Sequence, residues 1–211
     1  LFALLLCYAV GYAGLEIGGT LVLLAMLSGL TLIGPALAIG LYSISCQLQN
    51  GLVPVLGYCL RDSARGLGNQ GLFASVLFVL FLVWVHAGHL LHLFFPAGEV
   101  VSDEMDLWLF LGIGSAIGAV FALGTFCISA FSLPMVMDRR TDLVTAIVTS
   151  INAVLRNRKP MALWAAIILT AILLSVLTGM LGLVVAFPVI GHATWHAYRE
   201  TVDASNWPEY S

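Results

Sequence analysis

Charged side chains are what this chain has least of. Asp, Glu, Lys and Arg together make up 9% of its 211 residues, where a soluble domain carries roughly 25%. A solvated globular surface is therefore excluded. With 61% apolar residues and a mean hydropathy of +1.04, the chain reads as an integral membrane protein. Its eight Lys and Arg form no basic stripe, which disfavours nucleic acid as a partner. Cysteine is also scarce. Cys7, Cys46, Cys59 and Cys127 lie far apart with no CxxC pair, and read as reduced structural thiols rather than disulfide or metal ligands. There is no CxxCH, no Walker loop, no Ser–His–Asp pattern and no pair of acidic residues inside an apolar run, so no catalytic residue and no cofactor is assigned. The chain opens inside an apolar run at Leu1, without an initiator methionine or a signal peptide, which predicts further sequence upstream.

What is present is a series of long apolar runs. A helical span needs about 20 apolar residues, and the candidates are 1–13, 20–42, 71–95, 107–133 and 161–196. The last would measure roughly 54 Å as one helix at about 1.5 Å per residue, far more than a hydrocarbon core of about 30 Å. Splitting it at "TGMLG", 178–182, gives two short spans and six in all. Charge supports six. All eight basic residues (Arg61, Arg65, Arg139, Arg140, Arg156, Arg158, Lys159 and Arg199) then fall on one side, which the positive-inside rule makes cytoplasmic. Glu16 and the acidic loop with Glu99, Asp103, Glu104 and Asp106 fall on the other. Trp108, Trp164 and Trp195 lie near predicted span ends, at the headgroup level that amphipathic rings prefer.

The even-numbered spans end alike, each with a proline near the basic side: Pro35, Pro134 and Pro188. This predicts an all-α, polytopic membrane protein of six transmembrane helices. They form three pseudo-repeated hairpins at about 1–42, 71–133 and 161–198, within one domain covering 1–211. The plainer account is three unrelated prolines near helix ends. After the second proline, "TDLVTAIVTSINAVLRNRK" places Leu143, Val144, Ile147, Val148, Ile151, Val154 and Leu155 at helical spacing. A helix over 142–156, capped by Thr141 or Asp142, should lie along the cytoplasmic interface rather than cross. In "GIGSAIGAVFA", Gly114, Gly118 and Ala122 form a small-residue face for close helix packing, more naturally within the bundle than between copies.

The stretches "GPALAIGLYSIS", "SLPMVMDRRTDLVTAIVTS" and "PVIGHATWHAYRE" together resemble a bacterial inner-membrane family, domain of unknown function 2189. The likeness covers nearly the whole chain. It implies no catalytic residues, and the cytochrome c oxidase names carried by some members imply a respiratory membrane. "VHAGHLLHLFF" departs from the family pattern at its histidines, so any role for them would be peculiar to this chain.

Two histidine groups remain. His192 and His196 are one helical turn apart and share a face, a spacing used in metal sites. Zinc, however, asks for three or four ligands, and the Glu of HExxH is missing. They read as an interfacial anchor together with Trp195, Tyr198 and Arg199, the alternatives being a metal or haem ligand or a contact with a lipid or quinone headgroup. His86, His89 and His92 step by three beside the acidic loop and are a candidate copper or zinc site; polar residues near an interface are the plainer reading. Six spans put the two groups on opposite membrane faces, so no haem bridges them. These features suit a non-catalytic accessory subunit of a bacterial inner-membrane respiratory or electron-transfer complex, both termini cytoplasmic, with lipids and a cytochrome oxidase-type complex as partners. The alternatives are a small transporter or lipid-handling permease, and a periplasm-facing metal-binding protein.

Overall fold

The apolar runs become helices because a backbone in lipid must satisfy its own polar groups, and a helix does so within one segment. In a computed structural model, residues 38–55, 57, 67–95, 104–178 and 182–209 are described. The first expected span, nearly all of the second, Pro35, Arg61, Arg65 and most of the acidic loop lie outside them. The described helices are α1 (Ile39–Gln49), α2 (Leu67–Phe94), α3 (Glu104–Ser129), α4 (Ser132–Asp138), α5 (Leu143–Arg156), α6 (Arg158–Leu177) and α7 (Leu183–Thr201). The chain is all-α there, apart from one isolated antiparallel pairing of Arg139 with Glu209. Among the described residues, three stretches are long and apolar enough to cross a membrane: α2, α3 continued into α4, and α6. In the most apolar 18-residue window of each, 11%, 0% and 11% of residues are buried, as expected of surfaces solvated by lipid.

The interior sits at one end instead. The start of α2, the end of α3, α4, α5, the start of α6 and the end of α7 meet there, joined by α1. Arg139, Arg140, Arg156, Arg158, Lys159 and Arg199 all belong to this basic end. Short α4 is its hub, with Ser132 to Val136 all buried. Around it pack Tyr42, Phe73, Leu77, Phe131, Leu143, Ala146, Trp195 and Tyr198.

The two span-end prolines that lie among the described residues are accommodated differently. Pro134 lies in the first turn of α4, where a missing N–H costs nothing. The helix before it is broken, and Ser150 of α5 enters the break. Phe131 N–H donates to Ser150 Oγ at 3.1 Å, and that hydroxyl donates to the Cys127 carbonyl at 2.8 Å. Pro188, in contrast, lies inside an unbroken α7.

The run that starts at Met161 is divided between α6 and α7, as the length argument requires. α6, with 20 residues, is about 30 Å long. Gly182 marks the return: a Cβ there would lie 2.9 Å from the Cα of Ser175, so only glycine fits the approach. Its N–H donates to Thr178 Oγ1 at 2.9 Å.

Helix α5 begins as expected, with the Asp142 carboxylate accepting from Thr145 N–H at 2.9 Å. Its apolar residues do not form one buried face. Leu143, Ala146, Ser150 and Val154 are buried, and Ile147 is half-buried against the core. Val144, Val148 and Leu155 are exposed. One apolar stripe holds the protein, and a second is left for the interface.

Candidate functional site: a polar cavity at the basic end

Helix α1 contributes the first wall. In "YSISCQLQN" polar residues interrupt the apolar chain, and Ser43, Ser45 and Gln47 are turned inward. The helix then stops in a Schellman turn. Gly51 takes φ +70, with Gly51 N–H bonded to the Leu48 carbonyl and Leu52 N–H to that of Gln47. Gln47 Oε1 accepts from Val55 N–H at 3.1 Å, folding the following segment back over the helix end.

Helix α7 packs close against α1 because Gly191 has no side chain. A Cβ at that position would come within 2.5 Å of Leu41 Cδ1. Beside this contact, His192 Nδ1 is hydrogen-bonded to Ser45 Oγ. Since Ser45 Oγ donates to the Leu41 carbonyl at 3.0 Å, the imidazole is the donor in that pair. One turn on, Trp195 Nε1 donates to Gln49 Oε1 at 2.8 Å.

Asp138, at the end of α4, organises the other side. Its Oδ2 accepts from Arg139 Nε at 3.0 Å, from the Tyr198 hydroxyl at 2.9 Å and from Arg199 at 2.8 Å. The Asp138 and Arg139 side chains are only 10% and 12% exposed, Arg199 34%. Arg139 also holds the C-terminal tail, through Glu209 at 2.9 Å and the Trp207 carbonyl at 3.1 Å.

Between these walls lies a cavity of about 240 Å³. Ser43, Gln47 and Gln49 of α1, Gln70 of α2, Asp138 of α4 and Arg199 of α7 line it, with Trp195 and, at the tail, Glu209. Hydrogen-bonding and apolar surface share its lining, the apolar part including Leu52, Val136 and Met137. Gln70 is 6% exposed, and its Nε2 has no hydrogen-bond partner. Leaving such a donor unmade costs about 1–3 kcal/mol. The other unpaired buried side-chain atom among the described residues, Thr125 Oγ1, does not line this cavity.

Of the expected anchor, Trp195 and Tyr198 are turned into the protein, 1% and 0% exposed, with their polar atoms bonded to α1 and α4. His192 is half-buried, and His196 faces outward. His86, His89 and His92 are exposed on α2, with the His92 ring 5.2 Å from that of Phe110 on α3. Among the described residues, no three His, Cys, Asp or Glu are grouped to hold a metal. Gly114 packs on Leu91 of α2, while Gly118 has nothing described within 4 Å of a built Cβ. Sequence reasoning missed Gln70, Gln49 and Asp138. The polar run 43–50 was the available signal, and Asp138 was overshadowed by the two arginines after it.

A family model described as "Predicted integral membrane protein (DUF2189)" matches residues 22–138, and the chain belongs to that family. The match takes in the first of the three motifs that carry the resemblance and the opening of the second, through Asp138, and ends before the third. No curated protein and no solved structure matches the chain.

Proposed function

We propose that this member of an integral-membrane family is a lipid-handling protein of the bacterial inner membrane, seating a phospholipid headgroup in the cavity at its basic end. The carrying observation is Gln70 Nε2, a buried donor without an acceptor in the wall of a polar cavity. Buried polar groups are almost always paired, so an unpaired one in a residue of the cavity wall asks for a partner. The cavity adjoins the ends of apolar helices, among arginines, which is the depth of phosphate and glycerol in a bilayer. A headgroup brings acceptor oxygens to that depth while its tails stay in lipid.

The same reading takes α7 as the last of six spans and sets both termini on the cytoplasmic side. Segregation of all eight basic residues supports it. Cysteines placed at Ser211 and at Ser102 should label from opposite faces of the membrane, Ser211 from the cytoplasm. For the function, Ser43→Phe, which fills the cavity, should abolish retention of phospholipid through detergent exchange, read by native mass spectrometry. Unchanged retention by a folded variant would refute the headgroup site.

A second reading, an accessory subunit of a respiratory complex, is favoured by α3 at Gly118, where nothing among the described residues lies against the helix and a neighbouring helix could pack closely. Co-purification with cytochromes from native membranes, lost in Gly118→Leu, is its test.

A further inference from the structure

The geometry points to an ethanolamine-phosphate headgroup as the ligand of this cavity, an inference that rests on the headgroup-binding reading above. Charge is the first argument. Asp138 and Glu209 line the cavity, Arg199 lines it too, and Arg139 is bonded to both acids. Among the described residues, these four ionised groups sum to zero. An anionic lipid or a free phosphate would leave a net negative charge beside the nearly buried Asp138, a cost that solvent moderates at the 71% exposed Glu209. A zwitterion adds none.

The second argument is that both ends of a zwitterion find partners. Gln70 Nε2 is an unused donor in a residue of the wall, and Arg199, which also lines the cavity, is bonded to Asp138 through one nitrogen and keeps further N–H donors. These suit phosphate oxygens. The carboxylates of Asp138 and Glu209 suit a cation. The lining also tells a primary ammonium from a quaternary one. Choline-type groups have no N–H and are held by aromatic cages; here Trp195 is the single aromatic ring in the wall among the described residues. An ethanolamine nitrogen has three N–H donors for acid and amide oxygens.

Size is the third. At about 240 Å³ the cavity falls below the roughly 300–1,000 Å³ of sites that enclose drug-sized ligands. It takes a headgroup, with the acyl chains left outside.

The test uses the full chain in nanodiscs of equal parts phosphatidylethanolamine, phosphatidylcholine and phosphatidylglycerol. Lipids retained after detergent exchange are then counted by mass spectrometry. Ethanolamine lipid should be enriched over choline lipid about tenfold or more, and Gln70→Leu should remove that enrichment. Gln70→Leu should also leave the melting temperature of delipidated protein unchanged or raise it, because it deletes an unpaired donor. A purely structural glutamine would lower it. Glycerophosphoethanolamine, which has no acyl chains, forms a second arm; displacement of the retained lipid by it at equal concentration would make the soluble headgroup the ligand. Enrichment of choline or glycerol lipid that still depends on Gln70 overturns the ethanolamine assignment and leaves the headgroup site standing. Retention of all three lipids unaffected by Gln70→Leu overturns both.

Discussion

The hydroxyl of Ser150 on α5 stands where Phe131 has lost its helical hydrogen bond. It accepts from the Phe131 N–H at 3.1 Å and donates to the Cys127 carbonyl at 2.8 Å. A side chain inserted into the ladder is one of the few physical causes of a sharp helix bend. Here it separates a lipid-exposed α3 from a buried α4, and so separates the membrane-facing part of the molecule from its interior. Ser150→Ala should leave two buried backbone groups unpaired and cost about 1–3 kcal/mol. Thr149→Ala, whose hydroxyl only returns to the Thr145 carbonyl, should stay within about 0.5 kcal/mol. Thermal unfolding in detergent checks both, and equal effects would remove the bridging role.

Gly191 and Leu41 form a second close approach. Gly191→Ala should destabilise by about 1–3 kcal/mol, since the new methyl would meet Leu41 Cδ1 at 2.5 Å. The loss should be partly recovered in Gly191→Ala/Leu41→Ala. Contact residues couple by about 0.5–3 kcal/mol in such cycles, and strict additivity would show that the helices do not meet there.

Asp138 should be the most sensitive charge. Asp138→Asn weakens its interactions with Arg139, Tyr198 and Arg199 around one nearly buried oxygen. Breaking a buried pair costs up to about 3–5 kcal/mol. Arg199→Gln removes a more exposed partner and should cost less than about 1 kcal/mol. Melting temperatures ranked the other way would place the Asp138 cluster in solvent.

The Asp142 cap carries a pH signature. Hydrogen bonds from the side chain and backbone of Thr145 hold its carboxyl below the ordinary aspartate value, which is about 3.9. A depressed carboxyl contributes stability that is complete above the unfolded value and disappears as pH falls through the folded one. Asp142→Ala should thus melt lower than the parent at neutral pH, with the gap closing below about pH 4. Asp142→Asn should recover much of the loss at neutral pH, since Asn also caps. A gap that is the same at pH 3 and pH 7 would rule out the ionised cap.

Several of these features were legible before any coordinates. The start of α5 at Asp142 is a local matter, settled by side chain and backbone within four residues. The division of the long run 161–196 followed from helix rise against bilayer thickness. The cavity was not legible. Trp195 meets Gln49 across 146 residues, and Tyr198 meets Asp138 across 60. Nothing in the spacing of Gln70 announces that it will be buried without a partner.

The sequence by itself determined that the chain is a helical membrane protein. Scarcity of charge and runs of about 20 apolar residues are sums along the chain, and they hold whatever the helices touch. Only the tertiary structure decided which apolar stripe of α5 is covered. Leu143 and Ala146 differ from Val144 and Val148 in position rather than in chemistry, and the contact with α4 makes the choice. The same holds for Trp195 and Tyr198. An amphipathic ring suits a lipid interface or a polar-lined interior equally well. It was the approach of α1 at Gly191 and of Asp138 at the end of α4 that drew both rings inward.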